Sequence, residues 1–420
     1  MELDLLYEVD VPKPWNGGQR AAEVRAFDHC IEEVKLADKM GFRTVWCVEH
    51  HFREQRSHLS APEVLIGALS QVTENIRLGF GVVLMPHRFS HPIRVAEKVA
   101  TADILSHGRV EWGTGRSTPM EQAGFGVPPG EGNRGQWREA IETVVAAWES
   151  EGDSFSWNSE NLEFPARPEH HPTRSIVPKP QQLPHPPAWS AAVSTKSAEV
   201  VGESGLGLLS FSIMQPLSAM AEQIEVYRAA QERAKPITKV HTNRVAAYTL
   251  VHCAESAEEV TANGAWDAVW WWYQNIAETA LEWDFRELPQ EDKDKMFPIL
   301  KKQADGEFDV QDFNDSDMVI IGDVDSCVEK IARYAALGVD QLICYSSFGG
   351  LDHEAVMRSI ELLGTKVMPE LERRGIDVTA ALPDTALASS LAPTSAFFAE
   401  SGVKFTPGGI SGVDNREDDE

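Results

Sequence analysis

Thr44-Val45-Trp46-Cys47-Val48-Glu49-His50-His51-Phe52 is the stretch on which the reading of this chain turns. A β-branched and aromatic run stops abruptly at a carboxylate and two imidazoles. The run reads as a buried strand. In a barrel of parallel strands, polar residues at the C-terminal end of a strand face the mouth where chemistry is done. Histidine is the side chain that titrates near neutral pH unaided. The cluster therefore points to chemistry more than to packing.

Outward from this segment the chain alternates. Residues 3–9, 44–48, 76–84, 109–112, 188–193, 206–209, 244–252 and 340–345 read as strands. Between them, 21–40, 61–72, 92–105, 136–148, 195–203 and 216–230 have helical spacing, and 353–371 closes the series. Gly41 ends the first helix and Pro62 sits in the first turn of the second, each where its backbone chemistry fits. Eight strands alternating with helices fit a (β/α)8 TIM barrel over residues 1–374 better than an open sheet. Two stretches break the rhythm. Residues 151–187 read as a small β excursion and a Pro- and His-rich connector. Residues 262–316 form an oversized connection holding Trp266, Trp270, Trp271, Trp272 and Trp283. It reads either as a lid over an apolar pocket or as a helix packing its indoles on the barrel or on a second subunit. Residues 375–420 are low in complexity with an acidic end, and read as a mobile tail.

The composition narrows the partners. Among 420 residues, 38 Lys and Arg face 65 Asp and Glu, a formal charge of −27. That field repels nucleic acid and anionic membranes. An anionic ligand must then be held by local dipoles. Five scattered cysteines without a Cys-x-x-Cys argue for a reducing compartment, the cytoplasm, and against a disulfide framework. The first residues lack the basic and apolar regions of a signal peptide, and no run is long enough to span a bilayer.

Gly113-Thr114-Gly115-Arg116-Ser117-Thr118 begins like a dinucleotide loop, but Thr118 replaces the third glycine, and no P-loop occurs. Ser194-Thr195-Lys196-Ser197 lies where a strand gives way to a helix, so free N–H groups, hydroxyls and the helix dipole converge on it. It reads as a phosphate site or as plain N-capping by Ser194. Arg116 adds a cation at the same end. His50, His51, His58, His87 and His91 crowd one region, yet adjacent strand residues point to opposite faces and no His-Glu-x-x-His occurs, so no metal is expected.

Trp46 to Phe52, Gly79-Phe80-Gly81-Val82-Val83-Leu84-Met85-Pro86, His91 to Glu97, Leu105-Ser106-His107-Gly108-Arg109, Gly113 to Arg116 and Leu337 to Gln341 together resemble the bacterial luciferase-like flavin-dependent monooxygenases. The resemblance runs in order over roughly residues 1–370. It implies a barrel holding FMN at its mouth, reduced by a separate flavin reductase and reacting with O2 through a C4a-hydroperoxide to oxygenate a small, largely apolar organic substrate. It implies His50 as the catalytic histidine, with Glu49 beside it at a flavin-site position, and a carboxylate so placed would bias the imidazole tautomer. Gly81 and Val82 would abut the isoalloxazine ring, Gly115 and Arg116 would lie near it, and Ser194 and Ser197 would hold the phosphate. A homodimer is the assembly it suggests. Luciferase proper has a cysteine where Gly115 stands, a departure from the light-emitting members. Two alternatives stay open: a deazaflavin- or nicotinamide-linked reductase on the same barrel, and a non-catalytic flavin-binding subunit.

Overall fold

Strand alternation and helical periodicity resolve into a closed ring. The computed structural model describes residues 1–128, 131–150, 154–171, 174–211, 217–284, 286–309, 311–315 and 317–378, with two short strands beyond them. The strands are β1 (Glu2–Tyr7), β2 (Thr44–Cys47), β3 (Arg77–Leu84), β4 (Val110–Gly115), β5 (Trp157–Asn158), β6 (Glu163–Phe164), β7 (Ala188–Ala192), β8 (Gly207–Phe211), β9 (Val245–Ala254), β10 (Ile320–Asp323) and β11 (Gln341–Tyr345). All neighbours in the ring β1-β2-β3-β4-β7-β8-β9-β11 are parallel, and β8 pairing with β9 closes it. This is the expected eight-stranded (β/α)8 barrel.

The helices are α1 (Gln19–Met40), α2 (Pro62–Ser70), α3 (Pro92–Leu105), α4 (Pro119–Phe125), α5 (Glu131–Glu149), α6 (Thr195–Glu203), α7 (Leu217–Gln231), α8 (Ala257–Ala262), α9 (Ala265–Thr279), α10 (Gln290–Met296), α11 (Pro298–Ala304), α12 (Gln311–Asp315), α13 (Val324–Ala336), α14 (His353–Leu362) and α15 (Met368–Arg373). Gly41 ends α1 in the left-handed conformation, φ 87°, its N–H reaching Ala37 O. The last expected helix divides at a π-type turn, Leu363–Val367. Pro369, at the start of α15, lacks the N–H that would extend the α ladder.

The small β excursion read within 151–187 is the β5–β6 hairpin. Two elements go beyond the sequence reading. A ninth parallel strand, β10, pairs with the C-terminal half of β9 outside the ring, Ile320 opposite Val251, and leads into α13. Its four residues, Ile-Ile-Gly-Asp, are too short to show a period. The second is α4. Contact grouping gives one unit, Met1–Ala380, and a second, Ala381–Glu420. In the second, Phe405–Thr406 pairs antiparallel with Gly409–Ile410. Apart from these four residues, the tail from 379 lies outside the described residues.

The barrel floor is charged. Period-two alternation sends Leu3, Leu5 and Tyr7 to the helix layer and Glu2 and Asp4 to the interior. Glu2 pairs with Arg43 at 3.4 Å and Arg244 at 2.5 Å, and Arg77 with Glu111 at 2.5 Å. The Trp46 indole donates to Asp4 and the Trp189 indole to Glu111, each at 2.8 Å. Burial pushes the Asp4 carboxyl up to about 8, against the opposing Trp46 hydrogen bond. The two indoles meet edge to face at 5.6 Å. Gly79 and Gly207 make room for them, because a Cβ there would stand 2.4 Å from Trp46 and 2.3 Å from Trp189. This layer seals the barrel below the mouth.

Candidate active site at the barrel mouth

Every strand of the ring runs the same way, so their C-terminal ends share one rim. Leu84 pairs with Gly115, and Thr114 with Ser190, so Gly115 and Ala191 stand at one level. His50 follows β2 by three residues and Ser194 follows β7 by two. The imidazole and the hydroxyls expected to work together therefore lie at the same end.

The mouth is open between β3 and β8. Trp189 faces inward, so Ala191, two residues on, has the same inward parity, yet Ala191 is exposed. Gly81 and Val82 opposite are half-buried, as is Phe211 on β8. β3 carries an extra residue between Phe80 and Val83, and its Gly81–Val82 peptide is cis. Such bulges re-aim side chains at barrel rims. Gly115 is buried, and a Cβ there would stand 2.4 Å from Val82 Cγ2. The missing side chain of Gly115 thus makes room for Val82 rather than for open space.

The histidine cluster is organised by a residue that the sequence reading missed. Glu121, fully buried on α4, has Oε1 3.0 Å from His50 Nδ1 and accepts from the His51 backbone N–H at 2.8 Å. Ser117 Oγ donates to its second oxygen, and Arg53 Nε lies 3.6 Å from the first. Burial alone would raise the Glu121 carboxyl. The charge and hydrogen bond of His50, then Arg53 and Ser117, outweigh it and hold the group well below the usual carboxylate range. Ser117 at φ 68° and Phe52 at φ 62° sit in the left-handed region unusual for side-chain-bearing residues, and both flank this pair. The available signal was Thr118-Pro119-Met120-Glu121, a capping-box spacing with proline at the first helical position. In the structure the Thr118 N–H reaches back to Glu121 Oε2 at 3.5 Å.

Glu49 does not bias the His50 ring. Its Oε2 accepts the Leu84 N–H at 3.0 Å and its Oε1 lies 3.6 Å from His51 Nε2. The carboxylate one peptide away thus ties β2 to β3, while His51 packs on Phe125 at 4.8 Å. His91 caps α3, accepting from Ile93 N at 3.2 Å. Among the described residues no group of three or more His, Cys, Asp or Glu is placed to hold a metal ion.

Ser194 is the N-cap of α6. Its Oγ accepts from Ser197 N at 3.2 Å and its N–H donates to Ser197 Oγ at 3.0 Å, so the two serines form a reciprocal cap. Ser194 is exposed and Ser197 half-buried. Arg116 is half-buried above Gly115, with its carbonyl taken by Gln122 at 2.9 Å. One cavity of about 410 Å³ lies beside His91 and Phe164, and one of about 240 Å³ between α1 and the segments that follow β1 and β11. Neither is lined by His50, Glu121 or Ser194.

The insertion fills the other half of the mouth. Trp272 of α9 is fully buried, edge-on to Tyr248 at 6.3 Å and Tyr345 at 6.4 Å. Beneath lie Arg56 paired with Glu8, and Tyr345 donating to Asp10 at 2.6 Å. Trp270 packs on Phe308, and Trp283 is exposed. The indoles thus pack largely on the barrel and within the insertion.

We expect Glu121→Ala to destabilise the fold by about 3–5 kcal/mol, the scale for breaking a buried charged pair. The depressed folded-state value makes this contribution complete above the ordinary carboxylate value of 4.5. It is lost as pH falls through the folded value. Urea unfolding at pH 7 reads the difference, and equal midpoints for the two proteins would refute it.

Sequence comparison agrees with this architecture. The family described as luciferase-like monooxygenase matches residues 11–341. The oxygenase component of a flavin-dependent trigonelline monooxygenase from Acinetobacter baylyi is 26% identical over 364 residues, 84% of this chain and 91% of that protein. The oxygenating constituent of 3,6-diketocamphane monooxygenase from Pseudomonas putida, solved with FMN, superposes with a TM-score of 0.65 at 22% identity, covering 88% of this chain and 98% of the other. A coenzyme F420-dependent tetrahydromethanopterin reductase from Methanopyrus kandleri shares the fold at a TM-score of 0.61 and 19% identity, over 88% of this chain and 99% of its own.

Proposed function

The chain belongs to the luciferase-like monooxygenase family, and from that premise we propose that it is the oxygenase half of a two-component system. In this reading it binds reduced FMN supplied by a separate flavin reductase and, with O2, oxygenates a small, largely apolar organic molecule. The observation carrying the proposal is the exposed, inward-facing Ala191, on the rim that also bears the His50–Glu121 pair and the start of α6. A tricyclic ring needs a flat, uncharged bed. Ala191, Gly81 and Val82 are small or apolar residues at the open part of the mouth. A phosphate needs donors without a global positive field. The N–H groups of Thr195 and Lys196 at the start of α6 are first-turn donors, which an intrahelical ladder leaves open. Ser194 and Ser197 add hydroxyls, and Arg116 a cation nearby. The residues present fit the group.

Bound FMN supplies the electrons that activate oxygen. The chain's own work is positional. With Nδ1 engaged by Glu121, His50 keeps Nε2 as the nitrogen able to take or give a proton. Glu49 fixes β3 beside the bed through the Leu84 N–H. Trp272 and its aromatic neighbours keep water from the far half of the mouth.

Stopped-flow mixing of the protein and photoreduced FMN with O2, in buffer without NADH, tests the reading. The expected result is a transient absorbance unlike either reduced or oxidised FMN. Tight deazaflavin binding with no oxygen reaction would instead make the protein a hydride-transfer reductase.

A further inference from the structure

We propose that Asp284 is a positioning residue, through which the Trp-rich insertion holds the start of α4, and with it Glu121, against His50. α4 spans seven residues, Pro119–Phe125. So short a helix has little stability of its own and must be tied from outside. Its first N–H groups have no intrahelical acceptor. One of them, Met120 N–H, donates to Asp284 Oδ1 at 3.0 Å. The next residue is Glu121. A shift of α4 at Met120 therefore moves the carboxylate that fixes the His50 ring.

Arg53 forms the second tie. This buried guanidinium donates to Thr118 Oγ1 at 2.7 Å and stands 3.6 Å from Glu121. Its charge also attracts Asp284, which faces Arg53, Glu121 and Arg56. Two ties thus converge on the first turn of a helix of about two turns, and Asp284 comes from a segment more than 160 residues away in sequence. It ends the π-type turn Ala280–Asp284 that follows α9. The same helix buries Trp272 against Tyr248 and Tyr345. The insertion therefore grips the barrel at one side of the mouth and the catalytic pair at the other. Movement of the insertion on substrate entry would reach His50 by way of the Asp284 carboxylate. This last consequence rests on the catalytic reading of His50.

The test uses the full chain, flavin-free and with FMN, as Asp284→Ala and Asp284→Asn. Two readouts are independent of turnover: amide exchange over residues 117–125, and the ring ¹⁵N shifts of His50. Asp284→Ala is expected to speed exchange at the start of α4 at least tenfold and to mix the two His50 tautomers, with FMN affinity unchanged. Asp284→Asn keeps an oxygen that accepts from Met120 N–H and is expected to restore most of both. Wild-type exchange and a single His50 tautomer persisting in Asp284→Ala would overturn the proposal. So would fast exchange of the Met120 amide in the wild-type protein, a measurement that needs no variant. If the readouts shift as expected while His50→Ala retains turnover, the tie stands and the catalytic reading falls.

Discussion

His50→Ala is expected to lower turnover at least ~100-fold, the scale of a lost general acid–base group, while FMN affinity changes by less than about tenfold. The geometry separates the two effects. His50 hangs beyond the end of β2 and is held by Glu121 on the short helix after β4. The small residues of the open bed, Gly81 and Ala191, and the capped start of α6 belong to other strands, so truncating the ring leaves them in place. Glu121 would be left without its imidazole, but it retains the His51 N–H and the Ser117 hydroxyl. The measurement is substrate-stimulated oxidation of reduced FMN, alongside flavin titration. Unchanged turnover with an intact fold would remove His50 from the chemistry.

Replacing both Ser194 and Ser197 by alanine is expected to weaken FMN about 100-fold and riboflavin only a few-fold. Each hydroxyl directed at a charged phosphate contributes roughly 1.5–3 kcal/mol. Two such losses, partly offset by the N–H groups that remain, come to about 2.7 kcal/mol, or a hundredfold. The serines also cap α6, and removing a cap costs about 1 kcal/mol. That loss falls on both ligands alike. The ratio between FMN and riboflavin therefore isolates the phosphate contribution. Equal weakening of the two would move the phosphate elsewhere.

The barrel was legible because its strands are short apolar runs bounded by turn signals, from 3–9 to 340–345. The site was legible only along the chain. Glu49-His50 stood out as a dipeptide, and the expectation that neighbours in sequence act on each other failed at that point. Past the end of β2 the backbone turns these two side chains toward different elements, Glu49 to β3 and His50 to α4. Glu121 lies 71 residues from His50, a separation that no periodicity reports. Its capping-box spacing was visible, but a seven-residue helix inside a glycine- and proline-rich loop has too few turns to show a hydrophobic stripe. Gly115 was read as lying near a flat ring, and the space its missing side chain leaves is taken by Val82. Spacing shows that a side chain is missing, and only packing shows what fills the space.

The ion pairs under the two edge-to-face indoles separate the molecule's endurance from its craft. Arg77–Glu111 locks β3 to its neighbour β4, and Glu2–Arg244 ties β1 to the start of β9 across β11, at the end away from the rim and without drawing on the loops above. Libraries that randomise the connections after β4 and β9 while sparing this foundation should therefore yield mostly folded proteins with altered appetites. Changes to the foundation itself should cost solubility before they change what is oxidised.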